Sequence, residues 1–271
     1  MPVEQDWVPK SVDVTVPSSA RLYDYLLGGA HNFAVDREIG VRVEQHMPHV
    51  RSAARINRAF LGRAVRFMMA QGIRQFLDIG SGIPTVANVH EVAQAEDPSA
   101  RVVYVDRDPV AVAHSELILF ANERAGIVQA DMRDPDSILN SSEVRRLLNF
   151  DEPVGLLMLL MLHWVPDEHD PWSLMVRYRE ALPSGSYLAI THLTSDNISE
   201  ETRTATAAMN RTGGDQVVER TSERIAEMFG DFELVEPGLV PFAHWRPSGP
   251  GDISDDPEMN LLAYAGVARK P

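Results

Sequence analysis

The chain has 271 residues, 44% hydrophobic and 24% charged, with no cysteine and a formal net charge of −14, an ordinary composition for one large folded unit with a substantial core. The absence of cysteine excludes a disulfide framework, a thiolate metal site and a cysteine nucleophile. The negative charge repels phosphate backbones, so no nucleic-acid substrate is expected; with no signal-like N-terminus and no apolar stretch of spanning length, the expected setting is the cytoplasm, away from the membrane.

Residues 1–20 are polar and punctuated by proline, and read as an extended or mobile arm. Next comes YDYLLGGAHNF, in which Tyr23, Tyr25, His31 and Asn32 cluster around Gly28 and Gly29. Such a glycine break is expected where side chains meet a ligand, as a lid that also helps to form an acceptor pocket. The plainer reading is a capped helix end with its tyrosines packed on the sheet. Over residues 51–71, Ile56, Phe60, Ala64 and Phe67 recur at helical spacing and Gly72 is placed to stop the helix. The arginines between Arg51 and Arg74 read as the solvated face of that helix. Residues 1–72 are thus expected to form an arm and helical cap on an α/β unit spanning 73–271.

Beyond Gly72, short apolar runs alternate with amphipathic segments, the pattern of successive βα units and a mainly parallel sheet. Strands are expected at residues 75–79, 101–105, 127–129, 154–162 and 187–192, then at 232–235 and 261–269, with helices at 199–211 and 221–229. Residues 247–257, PSGPGDISDDP, read as a mobile loop.

The first strand runs into QFLDIGSGIPT, where Gly80, Ser81 and Gly82 allow a sharp turn and close ligand approach, and Pro84 and Thr85 are expected to open the next helix. Thr85 stands where a dinucleotide fingerprint has its third glycine. Asp78, two residues before the first glycine, is poor company for a pyrophosphate but suits an ammonium, which disfavours a nicotinamide-dependent oxidoreductase. The second strand ends in Asp106, followed by Arg107, where an acidic side chain can accept from both hydroxyls of a ribose. The third leads into QADMRDP, where Asp131 can receive the exocyclic amine of adenine and Met132 can cover the ring. Singly, each aspartate reads equally well as a cap or turn residue. Together, at successive strand ends, they match S-adenosylmethionine lying across the carboxyl edge of a sheet.

DIGSG, YVDRD and QADMRD resemble the cofactor motifs of class I S-adenosylmethionine-dependent methyltransferases over residues 75–192. ARLYDYLLGGAHNFAVDRE, with INRAFLGRAVRFM and FLDIGSGIPT, is similar more narrowly to a family of S-adenosyl methyltransferases long described only as proteins of unknown function. The resemblance implies a three-layer Rossmann-like methyltransferase fold: a seven-stranded, mostly parallel sheet with an antiparallel last strand, flanking helices and an N-terminal helical cap. It carries over Asp78, Gly80 and Gly82 as the amino acid turn, Asp106 as the ribose ligand and Asp131 as the adenine ligand.

The acceptor must be argued from the site. The fourth strand ends in LHWVPD, unlike the N-P-P-Y type signature of amino-methylating enzymes, so an adenine or glutamine amide acceptor loses support. His163 is the candidate general base, Trp164 and His192 are candidate pocket residues, and no metal site is expected. The expected activity is methylation of a small molecule. The rival is a non-catalytic, cofactor-binding sensor or partner protein of the same fold.

Overall fold

The computed structural model describes residues 12–85, 87–196, 198–210, 216–249 and 251–271. Most of the arm expected over residues 1–20 lies outside them; Arg211, the last residue of the helix expected over 199–211, does too. β1 (Gln75–Ile79), β2 (Arg101–Asp106), β3 (Ala125–Gln129), β4 (Gly155–Leu159) and β5 (Tyr187–Leu193) are parallel neighbours in the order β3-β2-β1-β4-β5. The short strands β6 (Glu233–Leu234) and β7 (Val240–Pro241) and the longer β8 (Ala263–Arg269) complete an eight-stranded sheet. β8 runs antiparallel to β5 and carries β6 and β7 on its other edge, also antiparallel. This is the Rossmann-like methyltransferase arrangement, with one short edge strand more than the seven expected.

Alternating side chains explain why the runs are apolar throughout. Phe76, Val102, Leu157 and Ala189 pack on one face with α3 (Val50–Ala70) and α4 (Val89–Glu96), whereas Leu77, Val103, Leu156 and Leu188 pack on the other with α8 (Pro171–Ala181). Helix α5 (Pro109–Leu119) links β2 to β3, and α6 (Pro135–Leu139) and α7 (Ser142–Leu147) precede β4. β2 and β4 flank β1 on opposite sides, so the chain leaves its carboxyl end in opposite directions and opens a crevice there. Before α3 come α1 (Ser19–Leu26) and α2 (Ala34–His46); after β5 come α9 (Glu200–Asn210), α10 (Ser222–Ala226) and α11 (Pro257–Leu261). No helix of the described residues is long and apolar enough to cross a membrane.

Several limits differ from the expected ones. The fourth strand stops at Leu159, not at residue 162: Leu160 has φ 52°, and Leu162–Trp164 form a 3-10 turn. The apolar run outlasts the strand because the turn itself is buried, Leu162 being 0% exposed. Pro84 and Thr85 do not open a helix. Asn88, whose side chain accepts from the Thr85 N–H at 3.1 Å, delays α4 to Val89, and Glu91 receives the Asn88 N–H at 2.8 Å. The helix expected over 221–229 divides into α10 and a 3-10 turn at Glu227–Phe229, and residues 257–261, shared between the expected loop and last strand, form α11.

The arginines of α3 are not all a solvated face. Arg63 is buried, donates to the carbonyls of Trp245 (2.9 Å) and Phe242 (3.0 Å), and pairs with Asp252. That bond pins the loop expected to be mobile, and Asp252 in turn accepts from the Ser248 and Gly249 N–H groups at 2.6 and 2.9 Å. Gly72, at φ 95°, ends α3 where expected.

Candidate functional site

The carboxyl ends of β1 to β4 form the floor of a cavity of about 190 Å³, roofed by α1, α2 and α3. Asp78, the turn Gly80 to Gly82, Asp106 and Arg107, Asp131 and Met132, and the turn after β4 all line it. Gly80 (φ 73°) is needed twice over: its conformation is left-handed, and a Cβ there would enter the Met161 side chain. Gly82 (φ 67°) is needed for conformation alone, since a Cβ would meet open space.

The three carboxylates sit in different electrostatic settings. Asp78 is 5% exposed, and burial pushes its carboxyl up to about 7; the Arg58 guanidinium pulls down, and neighbouring Asp106 adds to the rise. Asp106 accepts from the Gly82 N–H (2.7 Å) with one oxygen and from the Asp108 N–H (2.8 Å) with the other, which ties the glycine turn to the end of β2. Burial still pushes it up to about 6, against those two bonds. Asp131 is more open and lies low, chiefly because Arg133 donates to both of its oxygens, at 2.9 and 2.5 Å; Arg107 lies 4.0 Å away. The Asp108 carboxylate, beside them, caps α5 and faces Arg21.

At the turn after β4, His163 is 3% exposed and Trp164 tilts against it with ring centroids 5.0 Å apart; both line the cavity. Burial, with His192 and Arg220 nearby, holds the His163 imidazole well below its ordinary range, so it is neutral at physiological pH and a weak base. His192 does not line the cavity. It is fully buried, donates from Nδ1 to the Leu193 carbonyl (2.6 Å) and accepts at Nε2 from Arg220 (2.8 Å), and burial takes it down to about 3. Arg220 also donates to the carbonyls of Leu162 (3.1 Å) and Val165 (2.6 Å). His192 therefore braces the turn that presents His163.

The N-terminal cluster divides in the same way. Tyr23 lines the cavity, its hydroxyl donating to the Ala54 carbonyl (3.1 Å) and accepting from Asn57 (3.0 Å). Asn32 and His31 are outside the wall: Asp24 accepts from the Asn32 side chain (2.8 Å) and the His31 N–H (2.9 Å), folding the glycine loop back on α1. Gly29 is small because Asp24 occupies the space of its Cβ. The break in this motif is a helix end organised by Asp24, with Tyr23 and Leu26 as its contributions to the cavity.

The sequence profile of the S-adenosyl methyltransferase family matches residues 5–271. The chain belongs to that family. Among solved structures, this methyltransferase is similar to one from Thermobifida fusca YX assigned as a methyltransferase, at 40% identity and a TM-score of 0.90, covering 98% of this chain and 99% of the other. It is also similar to a DUF574 family protein from Streptomyces avermitilis MA-4680, at 38% identity and a TM-score of 0.90, covering 96% and 99%. A plantazolicin methyltransferase solved with S-adenosylhomocysteine shares the fold alone, at 13% identity and a TM-score of 0.53, covering 93% and 96%. Comparison with curated proteins finds no match.

The methyl donor of this methyltransferase is S-adenosylmethionine, and the cavity floor fits it. Two buried polar atoms there, Ser81 Oγ and His163 Nδ1, have no hydrogen-bond partner among the described residues, as expected where a ligand completes the bonding. A carboxylate as deeply buried as Asp78 calls for a cation. Among the residues of the wall that sequence reasoning missed are Arg58, Asn57, Met161 and Glu219. Arg58 and Asn57 belong to the helix assigned to packing and solvent. Met161 looked like a strand residue, and only its proximity to Gly80 distinguishes it. Glu219 lies in a polar segment without periodicity, and nothing in its neighbours signals a pocket.

Proposed function

We propose that this methyltransferase transfers the methyl group to a small, largely apolar acceptor, with the donor held by three carboxylates in series. Asp78 takes the ammonium, Asp106 the ribose hydroxyls and Asp131 the adenine amine, while Met132 covers the ring. Each oxygen of Asp106 already accepts one backbone N–H and keeps a further lone pair for a ribose hydroxyl. Asp131 shares its oxygens with Arg133, which fixes the carboxylate's direction. The observation that carries the reading is that one cavity joins these strand-end carboxylates to a roof made of Leu22, Leu26, Val43, Met47 and Leu61.

Bound there, the donor supplies an electrophilic methyl on a sulfonium. The chain supplies position and dryness, which can account for most of the acceleration of such a transfer. Trp164 and Tyr23 shape the wall beside the donor. His163, kept neutral, accepts or donates one hydrogen bond to orient the acceptor and is not a strong base.

Isothermal titration with S-adenosylhomocysteine tests the donor site. Asp106→Ala should weaken binding by about 100-fold or more, since it removes the ribose contacts and orphans two N–H groups of the turn. Asp131→Ala should cost about tenfold, as expected for a half-exposed contact. Unchanged affinity in Asp106→Ala would sink the donor site. Incubating the protein with labelled S-adenosylmethionine and a metabolite extract separates an enzyme from a sensor: an enzyme releases S-adenosylhomocysteine in step with a methylated product.

A further inference from the structure

Beyond the strand-end residues themselves, the cavity is walled by α1, α2, α3, α9 and residues 217–219, and this wall is apolar in its described residues apart from a few groups. Arg58 belongs to the donor side, beside Asp78. Among the described lining residues that these elements supply, Glu219 is the one carboxylate. Its backbone is fixed on both sides: Val218 donates to the His163 carbonyl at 2.8 Å, and Arg220 is locked onto Asp167, His192 and the turn after β4. Thr206 of α9, also in the wall, donates to Glu219 Oε1 at 2.6 Å. Arg203 acts on it only at longer range, and its guanidinium bonds instead to the Ser195 carbonyl at 3.4 Å.

Resting on the donor site proposed above, we infer that Glu219 is a specificity residue that selects acceptors carrying a cationic amine on an apolar body. A carboxylate held on a rigid segment in an apolar wall costs solvation that a hydroxyl alone does not return, and an ammonium returns it through a charge-assisted hydrogen bond. Burial, opposed by the Thr206 bond, holds the Glu219 carboxyl above its ordinary range, the direction expected for an anion short of a partner. An ammonium engaged by a carboxylate has no free lone pair, so the group held by Glu219 is a handle and the methyl goes to another atom of the acceptor. The donor's own ammonium and this ammonium are then held in one cavity, each opposed by its own carboxylate.

The test uses the full chain saturated with S-adenosylhomocysteine and three probes of matched shape: 2-phenylethylamine, 2-phenylethanol and 3-phenylpropanoate, titrated calorimetrically. The amine is expected to bind at least about tenfold more tightly than the alcohol, with the carboxylate weakest. In Glu219→Gln the preference for the amine should fall to about twofold or less. Binding of the alcohol or carboxylate as tight as that of the amine, no binding by any probe, or a preference that survives in Glu219→Gln overturns the inference. If that variant does not fold, the order of the three probes on the wild type decides alone. A donor-site failure is separately visible, as S-adenosylhomocysteine affinity unchanged by Asp106→Ala; absence of amine preference with an intact donor site removes the role of Glu219 only.

Discussion

Asp78 ties the chemistry of the ligand to a titration. Its carboxyl stands at about 7 against an ordinary 3.8, first because it is buried, with Arg58 opposing the rise and Asp106 adding to it. A folded-state value above the unfolded one means that protonation favours the ligand-free fold: that contribution is fully present below about pH 4 and is lost as the pH rises through about 7. An ammonium reverses the preference, because it needs the charged carboxylate. S-adenosylhomocysteine should therefore bind more tightly as the pH rises from about 5, by up to about tenfold per unit, and level off above about 7. Titrations in buffers of different ionisation heat should register release of about one proton per ligand near pH 6, and Asp78→Asn should abolish most of it. Asp106, at about 6, titrates in the same window, so Asp106→Asn is the necessary comparison. Its ribose partner is neutral, and that variant should retain most of the slope. An affinity flat across this range would separate Asp78 from the ammonium.

At the scale of elements, α3 does two jobs that its periodicity does not separate. One flank carries Asn57 and Arg58 to the cavity, while Arg63 reaches the C-terminal loop and meets Asp252 and two carbonyls in a buried setting. Truncating Arg63 to alanine leaves those acceptors without their donor and should cost about 3–5 kcal/mol in denaturant unfolding. Asp252→Ala alone should also destabilise, and the double variant should lose less than the sum of the two, as coupled partners do. The same helix shows which features were legible. Strand limits and the carboxylates at their tips follow from local apolar runs and turn residues, so Asp78, Asp106 and Asp131 could be placed around one cavity from sequence. Where a side chain on a long helix points depends on what packs over it, so Arg58 and Arg63 looked like solvent residues. His192 failed for a related reason: standing at the end of a strand does not say whether Arg220 covers the ring. The onset of α4 lies beyond Pro84 and Thr85 because the Asn88 and Glu91 pair, not the proline of the turn, caps the helix.

Across the whole molecule, the cavity is assembled from pieces far apart in the chain. Tyr23, Asn57, Asp106, His163, Glu219 and Leu262 all line it. α1 is held by Leu22 and Leu26 in the core, by the Tyr23 bond to Ala54 and by Arg21, which pairs with Asp36 at 2.9 Å and faces Asp108 at 3.5 Å. A ligand on the strand ends fills the space beneath α1 and adds contacts to both sides. S-adenosylhomocysteine at a hundredfold excess over its Kd should stabilise the fold by about 2.7 kcal/mol, raising the melting midpoint by roughly 5–10 °C. If the cap closes over the donor, hydrogen exchange of the α1 amides should slow on binding by more than that of the amides of α8, which packs on the opposite face. Deleting residues 1–33 should abolish or sharply weaken binding, because it removes Tyr23 and opens the apolar roof to water. Equal slowing in α1 and α8, together with full affinity in the deletion, would assign α1 to the stability of the fold and leave the donor site to the sheet and α3 alone.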